Sequence, residues 1–128
     1  MKFGYAIFYV DDVEGTVAFY ERAFGLKRKM VMDGEYGELA TGATRLAFAA
    51  RDFVEKSLSI PIQSGGPDRD PPPVEIALVT DDVDRDFQTA LAAGATSVRT
   101  PVQKPWGQRV AYVRDNNGCL VELCSAME

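Results

Sequence analysis

Two glutamates, Glu75 and Glu122, are the residues best suited to chemistry. Each sits inside an otherwise apolar run, VEIALVT at 74–80 and CLVELCS at 119–125. With the period of two that a strand imposes, Ala77 and Val79 share the face of Glu75, and Leu120 and Cys124 share that of Glu122. A carboxylate on such a face must be paired, hydrogen-bonded or protonated. If the two approach each other, one acquires a raised pKa and can act as a general base or anchor a cationic ligand. An idle reading stands beside this one, in which Glu122 is bonded to a tyrosine, an arginine or water and has no further role.

What is missing narrows the chemistry further. The chain contains no histidine. A Ser-His-Asp triad, an HExxH zinc site and a two-His-one-carboxylate iron site are therefore excluded from it. The two cysteines, Cys119 and Cys124, are five apart in one predicted strand. Their side chains face opposite ways and cannot pair with each other, so they read as small buried hydrophobes in a reducing compartment.

Among the aromatics, Trp106 lies between Pro105 and Gly107 at a predicted strand start. There it could stack on a planar ligand, or cover core or a dimer contact. Tyr5, Ile7 and Tyr9 share one face of the first predicted strand. Facing a cavity they supply flat apolar area with hydroxyl handles, facing helices they are plain core, and periodicity does not decide between the two. Tyr36, Tyr112 and Arg109 are further candidates. Gly65-Gly66 lacks the following lysine of a phosphate loop.

The elements that must position these residues come in two series. FGYAIFYV at 3–10 reads as a buried strand. Asp12 is placed to cap a helix with Val13, Val17, Tyr20 and Phe24 along one stripe, Glu14 in its first turn and Gly25 as its stop. Strands at 26–32, 36–41 and 45–50 follow, joined by turns at Asp33-Gly34 and 41–44. A short helical turn is expected at 51–58. The stretch 61–73 (PIQSGGPDRDPPP) holds five prolines and two glycines in 13 positions. It cannot donate a regular ladder and reads as a connector. The series then restarts, with a strand at 74–80 and a helix capped by Asp82 that carries Val83, Phe87 and Leu91 and ends at Gly94. Strands near 96–100, at 107–114 and at 119–125 complete it, with Asn117-Gly118 turning the last hairpin. Val10-Asp11-Asp12-Val13 matches Thr80-Asp81-Asp82-Val83 at an offset of 70. Two βαβββ modules, about 1–60 and 74–128, are the predicted organisation of one domain over 1–128.

Size and charge agree with a small-molecule role. At 128 residues, 46 % hydrophobic and 26 % charged, the chain has ordinary globular composition. Nineteen acids against 14 bases give a net charge of -5, without the basic footprint of a nucleic-acid binder. No apolar run approaches the ~20 residues that span a bilayer, and no signal-peptide pattern follows Met1. A soluble, cytoplasmic protein that binds neither nucleic acid nor membrane is expected.

Three stretches resemble the vicinal oxygen chelate superfamily, which includes glyoxalase I, extradiol dioxygenases and the bleomycin- and fosfomycin-resistance proteins. They are VDDVEGTVAFYERAFGL (Val10–Leu26), VEIALVTDDVDRDFQTALAAG (Val74–Gly94) and KPWGQRVAYVRDNNGCLVELC (Lys104–Cys124). The third is the most specific, with a WGxR strand, an RD-x-x-G turn and a VEL strand. The resemblance implies an α+β fold in which two βαβββ modules form an open, cup-like mixed sheet with helices outside. In metal-using members four ligands, commonly His, Glu, His and Glu, lie on the first and last strand of each module. Carried over by position, these fall on Tyr5, on Ala47 or Phe48, on Glu75 and on Glu122. Two carboxylates are too few for a tetrahedral or octahedral protein-held transition metal, and a phenol with a pKa near 10 ligates poorly. A hard cation such as Mg²⁺ with several waters is the remaining metal option.

The reading is metal-independent binding of a small planar or cationic molecule, of the kind the resistance-type branch performs, with no cofactor. Tyr5, Tyr9, Glu75, Trp106 and Glu122 are its ligand-binding residues, and a homodimer is implied, with the 61–73 connector as a hinge for module exchange. The alternative is a glyoxalase-like lyase or isomerase with Glu122 or Glu75 as base, with or without a weakly held divalent metal.

Overall fold

The computed structural model describes residues 1–127. In the first half, β1 (Tyr5–Val10) leads into α1 (Val13–Phe24), followed by β2 (Arg28–Met32), β3 (Tyr36–Leu39), β4 (Arg45–Ala50) and α2 (Arg51–Leu58). In the second, β5 (Glu75–Val79) leads into α3 (Val83–Ala92), followed by β6 (Thr96–Gln103), β7 (Arg109–Arg114) and β8 (Leu120–Cys124). Each half builds a four-stranded mixed sheet of the same topology, ordered β1-β4-β3-β2 and β5-β8-β7-β6. In each the first strand pairs parallel with the last and the other pairs are antiparallel. The repeated Asp-Asp-Val stretch thus marks a true structural repeat, and the fold class is α+β. The chain divides into two compact units, Met1–Ser64 and Gly65–Glu128, with the boundary inside the Pro/Gly-rich stretch. Among the described residues no helix is long and apolar enough to cross a membrane.

Both predicted caps form. The Asp12 side chain accepts from the Gly15 N–H and the Asp82 side chain from that of Arg85, each cap worth about 1 kcal/mol. Gly25 ends α1 in the left-handed conformation, with φ 68°. In the first unit α1 buries Val13, Val17, Phe19, Tyr20 and Ala23. The Tyr20 ring lies 5.0 Å from that of Phe48, which is in turn 6.4 Å from Phe8. The helix can approach this closely because β3 carries Gly37, where a Cβ would meet the Val17 and Val13 side chains at 3.0 and 3.1 Å. In the second unit Val83, Phe87 and Ala90 of α3 are buried, as are Ala111 and Val113 of β7 and Val121 and Leu123 of β8. Full burial of a side chain such as Phe87 or Leu123 stabilises by roughly 1.5–3 kcal/mol.

Strand ends depart from the sequence expectation in two informative places. β6 runs on to Gln103 through Pro101, because it is an edge strand and its register shifts on both sides of Arg99, so a missing N–H is tolerated. β7 begins only at Arg109, because Gly107, with φ 97°, belongs to the preceding turn.

The RD-x-x-G turn has a structural purpose. The buried Asp115 carboxylate accepts from the backbone N–H groups of Asn117 and Cys119 at 2.8 and 2.9 Å, closing the β7–β8 hairpin. The Arg114 guanidinium donates to the carbonyls of Gly118, Pro67, Gly66 and Arg69. Residues 66–69 are therefore fastened to the second unit. Gly118 is required twice over: its φ is 82°, and a Cβ there would lie 2.3 Å from the Gly66 carbonyl oxygen.

Candidate functional site

In each unit the helix covers one face of the sheet and leaves the other open. The register assigns side chains to the open face of the second unit. Opposite one another across β5 and β8 stand Glu75 and Leu120, Ala77 and Glu122, and Val79 and Cys124. On β7 the matching residues are Val110, Tyr112 and Arg114. The residues between them, Ala111, Val113, Val121 and Leu123, point to the helix and are buried. Glu75 and Glu122 thus belong to one face.

The Tyr112 hydroxyl donates to Glu122 Oε1 at 2.6 Å, a short charge-assisted bond of the stronger kind. That bond, with burial, raises the Tyr112 pKa well above the usual phenol value. Cys124 is pushed up to about 11, by burial first and by the Glu122 carboxylate second. It is buried and reduced, as is Cys119, whose thiol burial and Asp115 raise to about 12. Neither is a nucleophile at neutral pH. The pKa of Glu75 is raised, by partial burial first and by the charge of Glu122 second. Among the described residues neither Glu75 nor Glu122 has a cation at ion-pair distance. Two adjacent carboxylates without a counter-ion make this face a place where an ammonium group gains.

β6 adds what the sequence reading missed. Arg99 stands opposite Tyr112 and Val102 opposite Val110. Simple alternation from Thr96, which faces Arg114, would have put Val98 beside Tyr112 and turned Arg99 toward the helix. One extra residue between Ser97 and Arg99 reverses this, and a second irregularity before Val102 restores the valine to the open face. Arg99, Val102, Lys104, Val110 and Tyr112 line a shallow recess of about 160 Å³. A proline inside a strand was the available hint, but no rule places a bulge from one sequence.

Trp106 lies in the turn between β6 and β7 rather than at a strand start, and is 62 % exposed. Its indole N–H donates to Gln108 Oε1 at 2.9 Å, and the Lys104 ammonium sits 5.9 Å from its ring centroid. Arg109 is engaged by Asp84 through two bonds of 2.6 and 2.7 Å, and serves the fold.

The first unit's open face carries Tyr5, Ile7 and Tyr9 of β1, which are 48, 46 and 43 % exposed and turned away from α1. Beside them are Arg45, Ala47 and Ala49 of β4, then Tyr36 and Glu38 of β3. Glu38, only 8 % exposed, was not singled out from the sequence, although the same test of a carboxylate in an apolar strand applies to it. It accepts from the Tyr36 hydroxyl at 2.9 Å and pairs with Arg45 at 3.6 Å. Burial, then Glu38, pushes Tyr36 up to about 12. Arg45 also donates to the Tyr5 hydroxyl at 3.2 Å and lies over its ring.

The comparisons with known proteins agree with this architecture. The profile of the Glyoxalase/Bleomycin resistance protein/Dioxygenase superfamily matches residues 2–123, and the chain belongs to that superfamily. Uncharacterised proteins of Mycobacterium bovis and Mycobacterium tuberculosis H37Rv are 34 % identical to it over 114 residues. The match covers 85 % of this chain and 73 % and 65 % of theirs, so the chain spans about two thirds of the length of these relatives. Among solved structures, a glyoxalase-related enzyme from Fulvimarina pelagi superposes with a TM-score of 0.83 at 19 % identity, over 98 % of this chain and 88 % of that one.

The register of the two sheets distinguishes the two positions, Ala47 and Phe48, that the resemblance left open in the first unit. Glu122 stands opposite Ala77 in the second unit, as Ala47 stands opposite Ile7 in the first. The position is Ala47, whose methyl group cannot ligate, and Phe48 points to α1. The set is Tyr5, Ala47, Glu75 and Glu122. Among the described residues no group of three or more His, Cys, Asp or Glu side chains converges. This donor set does not fit a transition metal.

Proposed function

We propose that the chain binds a small planar molecule carrying a positive charge, without a metal, on the open face of the second unit. The observation that carries this reading is the pair Glu75 and Glu122: two carboxylates on one sheet face with, among the described residues, no cation at ion-pair distance, the Arg114 guanidinium on the same face being taken up by backbone carbonyls. The ammonium or amidinium of a ligand supplies the missing counter-charge, its ring lies on Tyr112 and the valines, and Trp106 offers a further stacking surface. Tyr5 and Tyr9 lie on the open face of the first unit, where the Arg45 guanidinium already occupies the Tyr5 hydroxyl and ring, so the ligand is assigned to the second unit. Sequestration is the function this supports, in the manner of the resistance-type members. Two copies of the chain are proposed to assemble, the half-exposed Tyr5, Ile7 and Tyr9 being apolar area a second copy would cover; sedimentation of a single 14.0 kDa species would overturn that part.

The test is an NMR titration of EDTA-treated protein with benzylamine. Binding is expected, weakened by Trp106→Ala and by Glu122→Gln while the folded spectrum is retained. No binding, together with a thermal stabilisation by Mg²⁺, Mn²⁺, Fe²⁺, Co²⁺, Ni²⁺ or Zn²⁺ that Glu122→Gln abolishes, overturns the proposal in favour of a metal site.

One observation favours a second reading, a lyase or isomerase that abstracts a proton. The raised pKa of Glu75 suits it to the role of base, whereas Glu122 Oε1 is already occupied by the Tyr112 hydroxyl. For a carbon acid that the protein turns over, Glu75→Gln should abolish turnover and Glu122→Gln should spare most of it.

A further inference from the structure

The open face of the second unit is not uniformly acidic. Across it, perpendicular to the strands, the charge changes sign: Glu75 and Glu122 on β5 and β8, the neutral ring of Tyr112 on β7, then Arg99 on β6 with Lys104 just beyond its end. Neighbouring strands are roughly 4.8 Å apart, so β6 and β8 are separated by about 10 Å. The cations do not neutralise the acids: Tyr112 stands between Arg99 and Glu122 with its hydroxyl committed to that carboxylate, and Arg114, also on this face of β7, is engaged by the carbonyls of Gly118, Gly66, Pro67 and Arg69. Among the described residues neither Arg99 nor Lys104 has a carboxylate at ion-pair distance. Both line the recess whose floor is Val102, Val110 and Tyr112. The placement of Arg99 depends on the irregularity between Ser97 and Arg99, and that of Val102 on the second one. A regular strand would present Val98 to Tyr112 and leave the recess with one cation.

From this arrangement we infer that the ligand is bipolar: a flat ring that lies on Tyr112, Val102 and Val110, with an ammonium group toward Glu122 and Glu75 and a carboxylate or other anionic group in the recess between Arg99 and Lys104. The inference rests on the amine-binding reading above and adds to it the second charge and the direction in which the ligand lies. Arg99 supplies a planar fork of donors suited to a carboxylate. Lys104, held over Trp106, adds a second positive charge at the rim. Opposite charges at the two ends also reject molecules with two ammonium groups or two carboxylates, since either would put like charges together.

Three probes of nearly one shape separate the claims when titrated by NMR into the full chain at low salt. 4-(Aminomethyl)benzoate carries both charges, benzylamine only the ammonium and 4-methylbenzoate only the carboxylate. The doubly charged probe is expected to bind at least tenfold more tightly than either of the others. Arg99→Gln should abolish the advantage of the doubly charged probe over benzylamine, which itself should bind no more weakly than before. Arg99→Lys should keep part of the advantage, and Glu122→Gln should reduce the doubly charged probe to the level of 4-methylbenzoate. Equal affinity for benzylamine and 4-(aminomethyl)benzoate overturns the bipolar assignment and leaves amine binding intact. Binding of 4-methylbenzoate with none of either amine overturns the amine reading and the bipolar ligand together.

Discussion

On the open face of the first unit the Glu38 carboxylate meets a phenol and a guanidinium, whereas on that of the second the Glu122 carboxylate meets a phenol and another acid. The two glutamates are not equivalent positions. Glu38 lies on the third strand of its sheet, opposite Ala47, and Glu122 on the fourth, opposite Tyr112. In the first unit the position equivalent to Glu122 is the methyl group of Ala47, and the charge has moved one strand over, where Arg45 balances it. A duplicated frame thus carries a closed electrostatic system in one copy and an open one in the other. The closed one, with Tyr36, Glu38, Arg45 and Tyr5 bonded in series, holds the sheet surface together. The open one has charge left over for something else.

The comparison breaks most visibly at Glu38. Replacing it by alanine strips the partner from Arg45 and the acceptor from Tyr36 in a largely buried setting, and should cost about 1–3 kcal/mol in a urea unfolding experiment. A loss within error would mean that the first unit's network is as dispensable as the second's. Next in size is Glu122→Gln, which keeps an oxygen for the Tyr112 hydroxyl. Stability should change little, while benzylamine affinity falls about tenfold, equivalent to roughly 1.4 kcal/mol. A destabilisation matching that of Glu38→Ala, with affinity unchanged, would make the two faces alike.

The smallest effect concerns Glu75 and pH. Its folded-state pKa is raised above the ordinary 4.5, so the fold favours the protonated form. That contribution is fully present below about pH 4.5 and is lost as the pH rises through the folded value. Glu75→Gln should therefore be slightly more stable than the parent at pH 7, by within about 0.5 kcal/mol, and no more stable at pH 4. The same titration should make benzylamine binding strengthen as the pH rises through that window. Equal stability of the two proteins across the range would show that neither burial nor the charge of Glu122 raises the Glu75 pKa.

Much of the frame was legible because it depends on near neighbours in sequence. The caps at Asp12 and Asp82 and the left-handed stop at Gly25 each act within one helical turn. Alternation in β5 and β8 correctly grouped Glu75 with Ala77 and Val79, and Glu122 with Leu120 and Cys124. The RD-x-x-G segment stood out, but its meaning did not: Arg114 grips carbonyls more than forty residues away, a partnership no local pattern announces. Glu38 was passed over although its strand obeys the same period. Arg99 was out of reach, because one inserted residue in β6 reverses the facing until the second irregularity before Val102 restores it.

By itself, then, the sequence determined the duplicated βαβββ order, which follows from residue types, short-range periodicity and a repeat offset, and it carried the resemblance to the superfamily in three stretches. The tertiary structure decided which way each strand faces, that Tyr5 and Tyr9 lie away from the helix, that Ala47 is the vacant counterpart of Glu122, and that Arg99 shares a face with Tyr112. Those facts depend on how strands pair across the chain, where register and bulges are set by packing between distant segments and not by any residue's own preference.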